Sequence, residues 1–163
     1  MACLQMLLAA SGRTVPGLVD LGRDCERHGG YRERDDGGLD GLFYAEFVAY
    51  IGLRHGLAAR VAAPLSVPEL LAATAGDEVV LASVHHRIRT PETIPPERGG
   101  HLVLVIDAYL DTEQVRFHNP SGHTAATQRD VVLGAHTFER FYAGRGIAVT
   151  LQRGSPFPPR PEH

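Results

Sequence analysis

The chain has no lysine and no tryptophan; all 16 of its basic residues are arginine. That bias reads as codon usage in a GC-rich bacterial genome and carries no functional message. Cysteine is scarce: Cys3 and Cys25 are the only two in 163 residues. Two cysteines in a chain of this length make no disulfide framework, so a reduced, cytoplasmic setting is the expectation. No stretch approaches the ~18 apolar residues of a membrane span. Charge of one sign is lacking as well. A net charge of −3 and a pI near 6.3 give no electrostatic case for nucleic acid. Met1 to Ala10 is apolar, but without a charged segment ahead of it the stretch does not read as a cleaved signal peptide. No glycine-rich loop follows a strand, and no His-x-x-x-His pair lies on a predicted helix, so no nucleotide, metal or other cofactor is expected.

What remains is ordinary globular composition, 44% hydrophobic and 21% charged. The expectation is one domain over 1–152, followed by a proline-rich tail over 153–163 too polar and proline-broken to pack. Helices come first. Residues 2–11 read as a buried helix stopped by Gly12. Thr14 and Pro16 mark the start of a second, running through Leu18, Leu21 and Cys25 to the His28-Gly29-Gly30 stop. A polar loop over 29–40 separates it from a third, where Leu42, Phe43, Phe47, Tyr50 and Ile51 recur at helical spacing up to His55-Gly56. Leu57 to Val61 is a short strand. Ser66, Pro68 and Glu69 form the start signal of a fourth helix, with a capping box.

Strands follow. Glu78 to Val84 is a central strand, and residues 85–98 a long loop of the kind that serves function or acts as a lid. Within that loop Arg87, Arg89 and Arg98 read as solvated, the alternative being that they line a cleft near His101 and meet a carboxylate, and His85-His86, if still in a strand, would point to opposite faces. Gly99-Gly100-His101 leads the unbroken apolar run Leu102 to Ile106. Val115 to Phe117 continues the strand signal until Asn119-Pro120 stops it. The two runs make a hairpin. Direct pairing of His101 with Asn119 centres its turn at Leu110, whereas the polar Asp111-Thr112-Glu113 places the turn later, a mismatch that calls for a bulge or a longer loop. A short helix near 135–143 and a strand over 146–151 complete an α+β layout, with no repeat and no alternating strand–helix pattern.

A histidine oriented by an asparagine is half of a cysteine-nucleophile site, and Cys3 near the start of the first helix is the candidate for the other half. His101 would be general base and then general acid, with Asn119 holding one tautomer. The bland readings are a buried core thiol for Cys3 and for Cys25, and an Asx turn ahead of Pro120 for Asn119.

The order helix-cysteine, strand-histidine, strand-asparagine resembles the papain-like cysteine peptidases, in particular the group containing the double-glycine leader peptidases of bacteriocin exporters. Ala2-Cys3-Leu4-Gln5-Met6-Leu7-Leu8 with Gly12, Gly99-Gly100-His101, Asn119-Pro120 (where the family often has Asp-Pro) and the segment Phe138 to Ile147 carry the resemblance. It implies a papain-like fold with N-terminal helices on an antiparallel sheet. It also implies a peptide or protein substrate and hydrolysis of a peptide or isopeptide bond through a thioester. The family's first motif, Cys-Gly-x-Ala-Cys-Leu-x-Met, matches this chain in its second half. On that register the family nucleophile falls four positions before Cys3, ahead of Met1, together with the glutamine that assists the oxyanion. Cys3 would lie one helical turn from that place, roughly 6 Å away by the helical rise. The alternatives are therefore a peptide-binding domain without catalysis and, third, an acyltransferase or thioesterase using the same site.

Overall fold

Two stretches with no polar face set the centre of the molecule. In the computed structural model, which describes residues 1–38 and 40–151, β2 (Glu78–Val84) and β3 (His101–Tyr109) pair antiparallel, Val80 opposite Val105 and Val84 opposite His101. Strands apolar on both sides need cover on both sides. Among the described residues the sheet has six strands in the order β1 (Ala59–Ala62), β6 (Tyr142–Thr150), β2, β3, β4 (Gln114–His118), β5 (Val131–Gly134), and each neighbouring pair is antiparallel.

One face is covered by α1 (Ala2–Ala10), α2 (Leu18–Arg27) and α3 (Tyr44–His55). There Leu4, Leu7, Leu8, Leu21, Phe47 and Ile51 meet Val79, Leu81, Leu104, Ile106 and Ile147. The other face is covered by α4 (Val67–Ala75) and α6 (Ala135–Glu139), with Leu70, Leu71, Phe138 and Phe141 over Val80, Ala82, Val103, Val105 and Phe117. Helices-then-sheet, the α+β layout expected from the pattern, is what forms. α1 is fixed by Leu7 and Leu8, both fully buried, each worth roughly 1.5–3 kcal/mol of burial.

The local signals held where a cap or a left-handed residue is decisive. Ser66 and Glu69 form the reciprocal capping box, and Gly56 closes α3 at φ +59°. They failed where tertiary contact sets the end. α2 starts at Leu18 with Gly17 as its cap, not at Thr14, because Pro16 gives its carbonyl to the Gln5 side chain at 3.1 Å. α3 starts at Tyr44, because the amide of Phe43 is already bonded to the Gly30 carbonyl. β1 begins at Ala59, two residues beyond the expected Leu57, and β6 reaches back to Tyr142. α5 (Ala125–Gln128) and β5 had no clear pattern in the sequence. The expected tail over 153–163 lies outside the described residues.

The hairpin is where the site is decided. Tyr109 pairs with Gln114, Ala108 with Val115 and Asp107 with Arg116. Past Ile106 the register shifts by one, and Val105 pairs with Phe117 and Leu104 with His118. The turn is a 3-10 segment, Leu110–Thr112, closed by Glu113 at φ +48°. Direct pairing of His101 with Asn119 does not occur. Instead, the bulge at Ile106 changes which residues of β4 share a side with His101. Carried on without it, the turn-side register would set position 119 opposite Leu104. With it, 119 falls in line with Val103 and on the side of His101.

Candidate active site

His101 opens β3 after two glycines in left-handed backbone, Gly99 at φ +90° and Gly100 at φ +87°. A Cβ on Gly99 would lie 3.1 Å from both the Ser83 hydroxyl and the Ala143 methyl. The glycine pair thus brings the chain against β2 and β6 just before the imidazole.

Asn119 follows the last residue of β4. It is 1% exposed, its amide donates to the Gln128 carbonyl at 2.8 Å and its carbonyl accepts from Gly122 at 3.1 Å. Its Oδ1 accepts from the Ser121 amide at 3.1 Å and from the Ser121 hydroxyl at 3.0 Å, and faces His101 Nε2 at 3.0 Å. A backbone N–H can only donate, so the oxygen, not the nitrogen, of the carboxamide faces Ser121. Nε2 must then carry the proton it shares with that oxygen, and Nδ1 keeps the lone pair. Both readings of Asn119 hold geometrically: it forms an Asx turn and it binds the imidazole. Its Nδ2 is buried and has no hydrogen-bond partner among the described residues.

Burial, more than anything else, holds the His101 pKa below the usual imidazole range. The Asn119 bond works the other way, and the nearby positive charges of His86 and Arg89 lower it further. The ring is therefore neutral at pH 7, with a free lone pair on Nδ1, the state a general base needs.

Cys3 sits in the first turn of α1, 4% exposed, its Sγ donating to the Leu102 carbonyl at 3.3 Å. Burial pushes the thiol up to about 12. A helix N-terminus favours thiolate, but desolvation outweighs it here. Cys25 is fully buried and pushed up to about 11, also by burial. Both are free thiols.

A cleft of about 740 Å³ joins these pieces. Its walls are Met1 to Leu4 from α1, Tyr31, Gly41 to Tyr44 and Phe47 ahead of and within α3, and Leu81, Ser83, Gly100, His101, Leu102, Pro120, Ser121 and Arg145. A size of ~300–1,000 Å³ with mostly apolar walls and a few convergent polar groups is that of a ligand site. Cys3, His101 and Ser121 all line it, while Asn119 stands behind His101.

Two residues at the site were not marked by sequence reasoning. Ser121 was legible in principle, since Asn-Pro-Ser-Gly is an Asx-turn sequence that puts residue 121 on the Asn119 side chain. Arg145 stands between two glycines in an otherwise apolar final strand, and that interruption was its signal. His85 and His86, expected to point to opposite faces if still in a strand, do not do so, because the strand ends at Val84. A 3-10 turn over His86–Arg89 stacks the rings 4.2 Å apart. Among the described residues, no group of three His, Cys, Asp or Glu could hold a metal ion, and no helix is long and apolar enough to cross a membrane.

No protein-family model matches the chain, and no curated protein does. Solved structures do match. The peptidase domain of Streptococcus ComA, a bifunctional ABC transporter of a quorum-sensing pathway, superposes with a TM-score of 0.60 at 12% identity, over 92% of this chain and 88% of that one. The fold is the α+β, papain-like one. A C39-like peptidase from Bacillus anthracis matches at TM-score 0.48 and 15% identity, over 73% of this chain and 64% of that one. The α+β papain-like architecture expected from the Cys3, His101 and Asn119 segments is thus the observed one.

Proposed function

We propose that this chain is a peptidase-like domain whose cleft receives a peptide or protein segment, with His101 as its proton carrier and Asn119 as the residue that positions the imidazole. The observation that carries the reading is the 3.0 Å contact of His101 Nε2 with Asn119 Oδ1 at the wall of an apolar cleft. In the reaction implied, a thiol attacks the carbonyl carbon of a peptide or isopeptide bond and its proton passes to Nδ1. The amine leaves with that proton, and water taken up through the same nitrogen hydrolyses the thioester.

Cys3 is the candidate thiol within this sequence. To serve, it must leave the Leu102 carbonyl and ionise, although a pKa of about 12 leaves roughly one thiolate in 10⁵ at neutral pH. That observation favours a second reading, peptide binding without turnover. A reduced, intracellular setting is part of both readings.

Incubating the protein with a peptide library and reading it by mass spectrometry separates the two. Cleavage lost in both His101→Ala and Cys3→Ala supports hydrolysis through Cys3. Retention of peptides without cleavage supports the second reading. Neither cleavage nor retention removes both.

A further inference from the structure

We propose that Arg145 is a specificity residue of this cleft, binding a carboxylate of the bound peptide beside His101. The inference rests on the reading that the cleft takes up a peptide, and it adds the chemical class that peptide must contain.

Among the described residues that line the cleft, Arg145 is the only Arg, Lys, Asp or Glu. The chain as a whole is net negative at −3, so its acids are gathered elsewhere. Several arginines use them there: Arg27 and Arg54 share Asp24, Arg60 takes Glu78, and Arg116 takes Asp130. Arg145 has no such ion pair or hydrogen bond among the described residues and is exposed. Its place is built. β2 pairs Ala82 with Gly146 and Val84 with Tyr142, so Ser83 alone spans Ala143 to Arg145 and the strand bulges there. Gly144 takes the left-handed conformation at φ +66°. Bulges next to sites re-aim a side chain. Here the guanidinium reaches Gly99, with Nη2 3.7 Å from where a Cβ on that glycine would stand, two residues before His101. A carboxylate gripped there lies within a residue or two of a bond presented to the imidazole. The planar fork of arginine matches a carboxylate in bidentate fashion.

The test is retention of hexapeptides on the immobilised full chain, from one library with amidated ends and one with free carboxyl ends. Enrichment of Asp- and Glu-containing members in the amidated library assigns the carboxylate to a side chain. Enrichment of the free-acid library irrespective of sequence assigns it to the chain end. Because Arg145 is exposed, the preference expected is modest, up to about five-fold. It should vanish in Arg145→Gln, survive in part in Arg145→Lys, and weaken with salt, with the melting temperature of both variants unchanged. Retention with no preference for either carboxylate, or a preference that Arg145→Gln leaves intact, overturns the inference and spares the peptide-binding reading. Neither retention nor cleavage of any peptide removes both.

Discussion

Alkylation of the two thiols tests the physical account of the site directly. Burial takes Cys3 from the ordinary 9.0 to about 12 and Cys25 to about 11. At neutral pH the thiolate populations therefore fall by roughly 10³ and 10² below that of an unperturbed cysteine, and the thiolate is the species that reacts. Cys3 also donates to the Leu102 carbonyl and is 4% exposed, so the reagent must wait for a local opening. With iodoacetamide at neutral pH and glutathione as reference, peptide mapping should find both cysteines labelled at least about 10²-fold more slowly than glutathione. Denaturant should restore both to the ordinary rate. Fast labelling of Cys3, not shared by Cys25 and abolished by His101→Ala, would refute the reasoning. It would mean that the imidazole holds Cys3 as a thiolate in spite of its burial, and would make Cys3 the nucleophile.

Other perturbations follow from the same geometry. Asn119→Ala leaves the Ser121 amide and His101 Nε2 without their acceptor, so unfolding should become easier by about 1–3 kcal/mol in a denaturant titration. The His101 titration followed by NMR should also move further down, since the lost bond favours the imidazolium; an unmoved titration would contradict the pairing. Gly146→Ala sets a Cβ 2.6 Å from the Leu81 carbonyl oxygen in the middle of the sheet, and should cost about 1–3 kcal/mol or more by the same measurement. Acidification should destabilise the fold through His85 and His118. Their Nδ1 lone pairs accept from the Arg87 and Asp130 amides, and burial holds both pKa values below 6.5. The unfolded chain then takes up protons first, so stability is constant above pH 6.5 and is lost as pH falls below it through the folded pKa values. A melting temperature flat over that fall, or a slope unchanged in His118→Gln, would contradict it.

His101 and Asn119 were recognisable because chemistry and punctuation coincide at both. A histidine between two glycines and an apolar strand, and an asparagine that ends a strand before proline, have few reasons to stand where they do. Cys3 was ambiguous for a physical reason. The same residue in the first turn of a helix is activated if the turn meets solvent and silenced if it meets core, and only packing against Leu102 tells which. Ser121 and Arg145 were overlooked because neither is unusual alone: Ser121 is placed by its contacts with Asn119 and His101, and Arg145 by the fold that sets it on the cleft wall.

The sequence alone determined the class of fold, since its helical periodicities precede its unbroken apolar strands and those strands demand cover on both faces. It also determined the capping of α4, the stop of α3 and the glycine pair ahead of His101, because these depend on residues within one turn of each other. Tertiary structure alone decided the facing of the hairpin. The turn position called for a bulge or a three-residue loop, but in a strand buried on both sides Leu102 to Ile106 has no polar residue to mark parity, so the pattern does not show that the extra residue is Ile106. That residue nevertheless turns Asn119 towards His101 rather than away from it.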